Sequence, residues 1–139
     1  MGEAEMNNCD IISLFKEKSF RATPQRIAVY AYLYENRTHP DVLDIYESVK
    51  KQHPGFSKTT VYNALNALIE KGFIIPVTAG GGCVHYDANV EPHGHFYCDH
   101  CGKIYDFETE LPAAKGLDGF SVNRKNVYYS GICPCCKNK

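Results

Sequence analysis

The sequence predicts an α+β protein in two parts, and three observations carry this prediction. Apolar residues in the first half recur at helical spacing in several successive segments. A glycine-rich break near residue 80 lies between two short segments that are typical of strands. Beyond residue 93 the spacing changes to the alternation of strands, among closely spaced histidines and cysteines. We therefore expect helices, a hairpin, and then a small sheet-containing unit.

Length and composition are those of an ordinary globular protein. The chain has 139 residues, of which 44% are hydrophobic and 22% charged. No apolar segment approaches the ~20 residues of a membrane span, and the N-terminus lacks the apolar core of a signal peptide. We therefore expect a cytoplasmic protein. Seven cysteines in a reducing compartment indicate metal binding more than disulfides.

The first two helices are predicted from spacing and from a start signal. Residues 9–18 have apolar groups at helical intervals. Thr23 followed by Pro24 predicts the start of a second helix, because a hydroxyl can cap the helix and proline at its first position loses no hydrogen bond. The predicted inward face of the second helix consists of Ile27, Tyr30, Ala31, Leu33 and Tyr34.

Two further helices are predicted over 41–51 and 57–71. Pro40 disfavours helical geometry at His39, which separates the second helix from the third. Ser57 is a suitable N-cap for the fourth helix, and Gly72 stands where a C′ glycine belongs. The predicted inward residues are Val42, Ile45, Tyr46 and Val49, then Val61, Leu65, Leu68 and Ile69.

The hairpin completes the pattern of a winged helix-turn-helix. Its strands are predicted over 73–78 and 83–86, and the fourth helix would be the recognition helix. The net charge is −1, and residues 1–80 contain nine basic and nine acidic side chains, so DNA binding would depend on local placement of charge. Tyr62 and Asn63 are candidates for base or sugar contacts. Candidates for phosphate contacts, each with a solvated helix face as the alternative, are Arg21, Arg26, Lys58, Thr59 and Thr60.

The second half is predicted to be a small α/β dimerisation domain. Strands are expected over 95–97, 103–107, 120–122 and 127–129, with at most a short helix over 111–115. Such a unit is too small to bury a large core and needs a metal or a partner chain. We divide the chain into a winged-helix DNA-binding domain (1–86), a hinge (87–93) and a dimerisation and metal-binding domain (94–139).

Two Cys-x-x-Cys pairs predict a structural zinc site. Cys98 with Cys101 and Cys133 with Cys136 can surround one zinc ion tetrahedrally and close it to water. Redox-active or merely buried cysteines are the alternative interpretation, and Cys135 offers a competing register for the last ligand.

A second candidate metal site has nitrogen and oxygen ligands. His93 and His95 lie two apart on a predicted strand and so share one face. Together with Asp87, Asp106 and the distant His39 they suit Fe(II), Mn(II) or Zn(II), and the absence of sulfur favours the first two. Surface histidines are the alternative. We assign His53, His85 and His100 to the surface or to the surroundings of the site.

The ordered motifs resemble those of the ferric-uptake-regulator (Fur) family of metal-dependent repressors. They are RATPQR (21–26), HP (39–40), SKTTVYNAL (57–65), GF-I (72–74), YD (86–87), HGHFYCDHCGKIYDF (93–107) and CPCC (133–136). The chain is most similar to the peroxide-sensing PerR branch, because the iron-sensing branch usually has glutamate at the position of Asp106. In the PerR branch three histidines and two aspartates hold the regulatory ion, and these fall on His39, Asp87, His93, His95 and Asp106.

The resemblance implies a homodimer that binds double-stranded operator DNA. It implies structural zinc and Fe(II) or Mn(II) as corepressor. With iron bound, peroxide would oxidise His39 or His93, and the repressor would release DNA. This is self-modification without turnover, so no enzymatic activity is expected.

Departures from the family concern a further metal site and the dimer. Pro92, Gly94 and Lys125 stand where iron-responsive relatives often have ligands, so we do not expect that further site. The segment 108–119 is shorter than is usual in the family.

Three alternatives stay open at this point. An iron- or zinc-responsive uptake repressor would have the same fold without peroxide chemistry. A zinc enzyme is disfavoured because neither HExxH nor H-x-E…P-C-x-x-C occurs. A zinc-ribbon interaction module would leave residues 20–75 unexplained.

Overall fold

A computed structural model describes residues 6–78, 83–90, 93–109, 114–122 and 126–138, which fall into two compact units. The first unit contains the described residues up to Val77 and those from Cys83 to Val90. The second contains Thr78 and the described residues from His93 onward. No helix in the described ranges is long and apolar enough to cross a bilayer.

Four helices form the body of the first unit: α1 (Asn8–Glu17), α2 (Pro24–Glu35), α3 (Val42–Val49) and α4 (Lys58–Glu70). The predicted start signals are confirmed for α2 and α4. The Thr23 hydroxyl accepts a hydrogen bond from the Arg26 backbone N–H at 3.3 Å, and the Ser57 hydroxyl accepts one from that of Thr60 at 3.1 Å. Asp41 caps α3, so this helix begins one residue later than predicted.

The helices enclose an apolar core that the periodicity predicted in most positions. Phe15, Leu33, Ile45, Leu65 and several neighbours are fully buried. Val29 and Ala64 are buried although they were not among the predicted inward residues, whereas Ile27, Val42, Tyr46 and Ile69 are only partly buried. An aromatic cluster with ring centroids 4.9–6.0 Å apart closes the core, and it consists of Phe15, Phe20, Tyr30 and Phe73.

A short antiparallel hairpin completes the winged-helix unit. Its strands are β1 (Ile75–Val77) and β2 (His85–Asp87), both shorter than predicted, and the predicted AGGG turn lies outside the described residues. Strand β2 is also attached to the segment between α2 and α3. The Tyr86 backbone N–H donates to the Pro40 carbonyl at 3.0 Å, and Asp41 forms a bridge with His85. This attachment brings Asp87 to His39.

A three-stranded sheet forms the centre of the second unit. Strand β3 (Gly94–Cys98) lies between β4 (Ile104–Phe107) and β5 (Val127–Gly131), antiparallel to β4 and parallel to β5. A four-residue helix, α5 (Pro134–Lys137), follows. It was not predicted, because a single turn has no hydrophobic periodicity to detect.

Two segments of this unit, 114–115 and 120–122, lack the helix and the strand that were predicted for them. The predicted strand 120–122 is wrong: these residues form no ladder, and Phe120 and Val122 are 67% and 49% exposed. Alternation alone does not make a strand when no neighbouring strand supplies hydrogen bonds. Of the helix predicted over 111–115, residues 111–113 lie outside the described residues, and Ala114 and Lys115 are not helical.

Candidate metal centres

His39 and Asp87 form a buried pair within the first unit. The His39 Nε2 atom lies 3.2 Å from Asp87 Oδ2, and only 3% and 2% of the two side chains are exposed. The other carboxylate oxygen, Oδ1, accepts a hydrogen bond from the Asn89 backbone N–H at 2.8 Å. The local turn therefore fixes the carboxylate while directing Oδ2 at the imidazole.

A second histidine pair lies in the other unit and faces a shared carboxylate. His93 Nε2 and His95 Nε2 lie 3.3 and 3.4 Å from the same atom, Asp106 Oδ1. His95 is opposite Asp106 in the β3–β4 ladder, and His93 precedes it by two residues, as strand alternation predicts. Both histidine side chains are buried, whereas the Asp106 side chain is 37% exposed. Nitrogen and carboxylate oxygen converge here in a donor set that suits Fe(II) or Mn(II).

Gly94 is required between these two histidines. A Cβ atom at this position would collide with the Phe107 ring of the neighbouring strand. The missing side chain allows that ring to pack across β3, while the histidines on either side of Gly94 face the carboxylate. A larger residue at Gly94 would have to displace the Phe107 ring, whose residue follows Asp106 directly on β4.

Four cysteines of the second unit form a compact sulfur cluster. One Sγ atom from each of Cys98, Cys101, Cys133 and Cys136 lies within 4.8 Å of the others, and all four cysteines are free. The Cys101 and Cys133 Sγ atoms are 3.8 Å apart. A tetrahedron of sulfurs about 2.3 Å from a central zinc has an edge of roughly 3.8 Å. The spacing therefore fits a four-coordinate zinc ion.

The surroundings of the cluster favour thiolates at two positions. Backbone N–H groups of Cys101 and Cys133 each lie 3.4 Å from Cys98 Sγ, and N–H donation, first of all from Cys101, lowers the pKa of Cys98 to about 6. The Tyr105 hydroxyl donates to the Cys133 sulfur, which lowers the pKa of Cys133 and raises that of Tyr105. Burial raises the pKa of Cys136 to about 12. Metal is needed to ionise the last thiol at neutral pH.

The remaining cysteines lie apart from this cluster. Cys135 is exposed, and it is Cys136 whose sulfur joins the other three. Pro134 begins α5 directly after Cys133, and the single helical turn carries Cys136 back toward Cys133. Cys9 and Cys83 are exposed thiols.

The candidate DNA contacts lie on and near α4 and at the start of α2. Lys58, Thr59 and Asn63 are exposed, and Tyr62 is 45% exposed. Thr60 is half-buried, and its hydroxyl lies 3.0 Å from that of Ser57. Arg26 packs over the Phe20 ring and donates to the Arg21 carbonyl, so these two arginines are held together at one end of α2.

Tyr105 was not singled out from the sequence, and for His85 the sequence left two placements open. Tyr105 reaches the sulfur cluster through strand pairing that no local motif encodes. His85, which we had assigned to the surface or to the surroundings of the site, places its Nδ1 atom 2.7 Å from the His39 carbonyl oxygen. The alternation of HYD (85–87) could have indicated this, because it puts His85 and Asp87 on one face of β2.

These features define the class of the protein. It is a winged-helix protein with a second α/β unit that carries a four-cysteine cluster, and each unit has its own group of neighbouring histidine and aspartate side chains. The model of the ferric uptake regulator family matches residues 17–118, and the chain belongs to this family.

Relatives in the family span nearly the whole chain. The peroxide operon regulator of Bacillus subtilis (strain 168) is 35% identical over 136 residues, covering 94% of this chain and 93% of the relative. The Campylobacter jejuni peroxide stress regulator superposes with a TM-score of 0.68 at 29% identity, covering 91% of this chain and 98% of that one. The Helicobacter pylori ferric uptake regulator Fur superposes with a TM-score of 0.73 over 99% of this chain and 96% of that one. At 22% identity it supports the fold alone.

Proposed function

We propose that the chain is a metal-dependent transcriptional repressor that senses peroxide. The observation that carries this proposal is the convergence of His93 and His95 on one carboxylate oxygen of Asp106. An aspartate in this position is the feature by which the sequence resembles the peroxide-sensing branch. The 35% identity to a peroxide operon regulator over nearly the full length supports the same branch.

The cofactors follow from the chemistry of the two donor sets. Zinc would be held by Cys98, Cys101, Cys133 and Cys136, where it would fasten β3 to α5 and stabilise a unit with a small core. Fe(II) or Mn(II) suits the residues with nitrogen and oxygen donors. We propose that one such ion takes its ligands from His39, Asp87, His93, His95 and Asp106, as the family resemblance implies.

Shared ligation would make the ion a corepressor. His39 belongs to the proposed DNA-binding domain (1–86), Asp87 and His93 to the hinge (87–93), and His95 and Asp106 to the dimerisation domain (94–139). An ion bound by both parts would restrict their relative motion. In a dimer this restriction would favour one separation of the two recognition helices, which has to match half-sites about 34 Å apart or a multiple of that distance.

Peroxide would reverse this effect through the ligands themselves. Bound Fe(II) would supply redox chemistry that activates hydrogen peroxide, and Mn(II) would not; overall, peroxide would transfer one oxygen atom to an imidazole and leave as water. His39 and His93 are the proposed oxidation targets. Addition of oxygen to either imidazole would weaken it as a ligand, and loss of the ion would free the two parts. The chain would therefore act as a regulator and not as an enzyme. It would bind DNA in the cytoplasm.

Operator binding is proposed for α4 and the residues beside it. Tyr62 and Asn63 would contact bases or sugars, and Arg21, Arg26, Lys58, Thr59 and Thr60 would contact phosphates. The exposed positions of Lys58, Thr59, Tyr62 and Asn63 support this assignment. Because the first half has almost no net charge, few basic side chains would contribute the electrostatic part of the affinity for DNA.

The exposed edge of the sheet supports a homodimer. Among the described strands β5 pairs with β3 alone, so its other edge presents unpaired backbone groups. Exposed apolar side chains lie on this strand and directly after it, with Tyr129 58% and Ile132 50% exposed. A second copy that covers this strand would satisfy the backbone groups and bury the apolar side chains.

Selection of DNA in the presence of Mn(II) tests the proposal. Duplexes would be enriched from a random-sequence pool by the zinc-loaded protein with Mn(II), and the affinity for the enriched duplex would be measured with and without Mn(II). We expect binding at least about tenfold tighter with Mn(II), which corresponds to a coupling of about 1.4 kcal/mol. The Asp106→Asn variant should retain its zinc and lose the Mn(II) effect. Failure to enrich any sequence would contradict the proposal.

A further inference from the structure

The backbone at His39 adopts a conformation that its sequence context disfavours. Its φ angle is +57°, in the left-handed region that residues other than glycine rarely occupy. The following residue is Pro40, and a residue before proline is restricted further, toward extended geometry. Some contact outside this segment must therefore hold the backbone in place.

The His85 side chain provides such a contact. Its Nδ1 atom lies 2.7 Å from the carbonyl oxygen of His39. A carbonyl oxygen can only accept a hydrogen bond, so the His85 ring must be the donor and carry a hydrogen on Nδ1. This bond acts on the peptide group between His39 and Pro40, where the disfavoured conformation arises.

Strand β2 therefore contacts His39 in two different ways. His85 and Asp87 are two residues apart on β2 and share one face. His85 binds the backbone of His39, while Asp87 Oδ2 lies 3.2 Å from its imidazole Nε2 atom. Between them, the Tyr86 backbone N–H donates to the Pro40 carbonyl at 3.0 Å. Three consecutive residues of β2 thus hold the carbonyl and the ring of His39 and the carbonyl of the following proline.

We propose that His85 is a positioning residue for the regulatory metal: through its Nδ1–H bond to the His39 carbonyl, it orients the His39 imidazole for metal binding. The proposal rests on the proposed function, because it requires His39 to be a ligand. His85 itself is not assigned as a ligand. Without its bond the segment would relax toward extended backbone, and the His39 ring would leave its place beside Asp87.

The tautomer of His85 gives the first test. In zinc-loaded full-length protein without Mn(II), long-range proton–nitrogen NMR correlations distinguish a protonated Nδ1 from a protonated Nε2. We expect the His85 ring to carry a hydrogen on Nδ1. A ring with its hydrogen on Nε2 alone would overturn the proposal, because it could not donate to the carbonyl.

The second test measures Mn(II) affinity in two variants of His85. In His85→Leu the donor is absent while a side chain of similar size remains. In His85→Asn the amide nitrogen occupies nearly the place of Nδ1 and can donate to the same carbonyl. We expect the leucine variant to bind Mn(II) roughly 3- to 30-fold more weakly, as for one lost hydrogen bond to a buried group, and the asparagine variant to recover most of that loss.

A matched control separates positioning from general stability. His53→Leu removes another histidine of the same unit, one that stacks on Phe56 with ring centroids 4.6 Å apart, away from β2. It should bind Mn(II) like the wild type. Without Mn(II), His85→Leu should melt somewhat below the wild type, because a hydrogen bond is lost. The increase in melting temperature that Mn(II) causes should, in addition, be smaller than in the wild type.

The possible failures are distinguishable. If the wild-type protein binds no Mn(II), the proposed function fails and the role of His85 fails with it. If the wild type binds Mn(II) and His85→Leu binds it equally well, only the role of His85 is overturned. Equal weakening in the leucine and asparagine variants would also overturn it, because the donor would then not be the feature that matters. If the leucine variant does not fold, the Mn(II) affinity of His85→Asn and the position of the hydrogen on the His85 ring still test the role of His85.

Discussion

The His39 imidazole and the Asp87 carboxylate face each other in the interior of the first unit, 3.2 Å apart between Nε2 and Oδ2. The sequence separates these residues by a helix-turn-helix and most of a hairpin, and the attachment of β2 to Pro40 brings them together. Burying a carboxylate costs free energy unless a partner compensates. The His39 imidazole and the Asn89 backbone N–H are such partners here, and the facing nitrogen and oxygen atoms are suited to receive a cation.

Replacement of Asp87 should abolish regulatory metal binding without loss of zinc. In Asp87→Asn one anionic ligand becomes neutral while the shape of the side chain is kept. We expect Mn(II) affinity to fall by more than about 100-fold, because even residues outside the ligand shell cost about 10- to 100-fold. Isothermal titration with Mn(II) measures this, and the exposed Asp118→Asn serves as control. Unchanged affinity in Asp87→Asn would remove Asp87 from the site.

The register of the last zinc ligand can be decided with two serine variants. Cys136 joins the sulfur cluster, whereas Cys135 is exposed. We expect Cys136→Ser to lose zinc and much of the stability of the second unit, because the metal supplements a small core. Cys135→Ser should keep one zinc per chain and unfold like the wild type. Zinc content by elemental mass spectrometry and thermal unfolding provide the comparison, and the opposite pattern would assign Cys135 as the ligand.

Zinc-free protein should contain a thiolate at neutral pH. The pKa of Cys98 is lowered from 9.0 to about 6, chiefly by the Cys101 backbone N–H. Because the folded-state value lies below the unfolded one, this ionisation stabilises the folded zinc-free protein fully above pH 9 and loses its effect as the pH falls toward 6. Ultraviolet thiolate absorbance should show a transition near pH 6 that Cys98→Ser removes and Cys83→Ser retains. A first transition near pH 9 would be contrary to this expectation.

Local signals explain why the helical half could be predicted from the sequence. Thr23, Asp41 and Ser57 each place a side-chain oxygen where a helix begins, and the structure shows all three as caps. These signals act within three residues, so the sequence displays them directly. The strand pair that carries His95 and Asp106 also followed from alternation.

What could not be predicted depends on contacts that are distant in the sequence. The hydrogen bond from His85 to the His39 carbonyl spans 46 residues. The bond from Tyr105 to Cys133 depends on how β4 lies against the cysteine loops. The error at 120–122 has the converse cause, since alternating residues there find no partner strand among the described residues. Spacing indicates which face a side chain occupies but not which distant group meets it.

Two substitutions in α4 should separate sequence recognition from phosphate binding. Asn63→Ala should weaken binding to the selected duplex by roughly 1–3 kcal/mol and relax the base preference at one position of each half-site. Lys58→Ala should weaken binding to all duplexes alike. It should also reduce the slope of log affinity against log salt concentration by about one. Fluorescence anisotropy over a range of salt concentrations measures both effects, with the exposed Lys51→Ala as control. If Asn63→Ala behaves like the control, α4 is not the recognition helix.

The most direct test of the account is mass spectrometry after a brief pulse of hydrogen peroxide. Zinc-loaded protein would be prepared with Fe(II) or with Mn(II), pulsed, and divided between peptide mapping and a DNA-binding assay. We predict one added oxygen atom on the peptides that contain His39 or His93, in the Fe(II) sample only, together with loss of DNA binding. If both histidines stay unmodified while DNA binding follows only the concentration of metal, peroxide sensing is contradicted. The chain would then be a metal-uptake regulator of the same family.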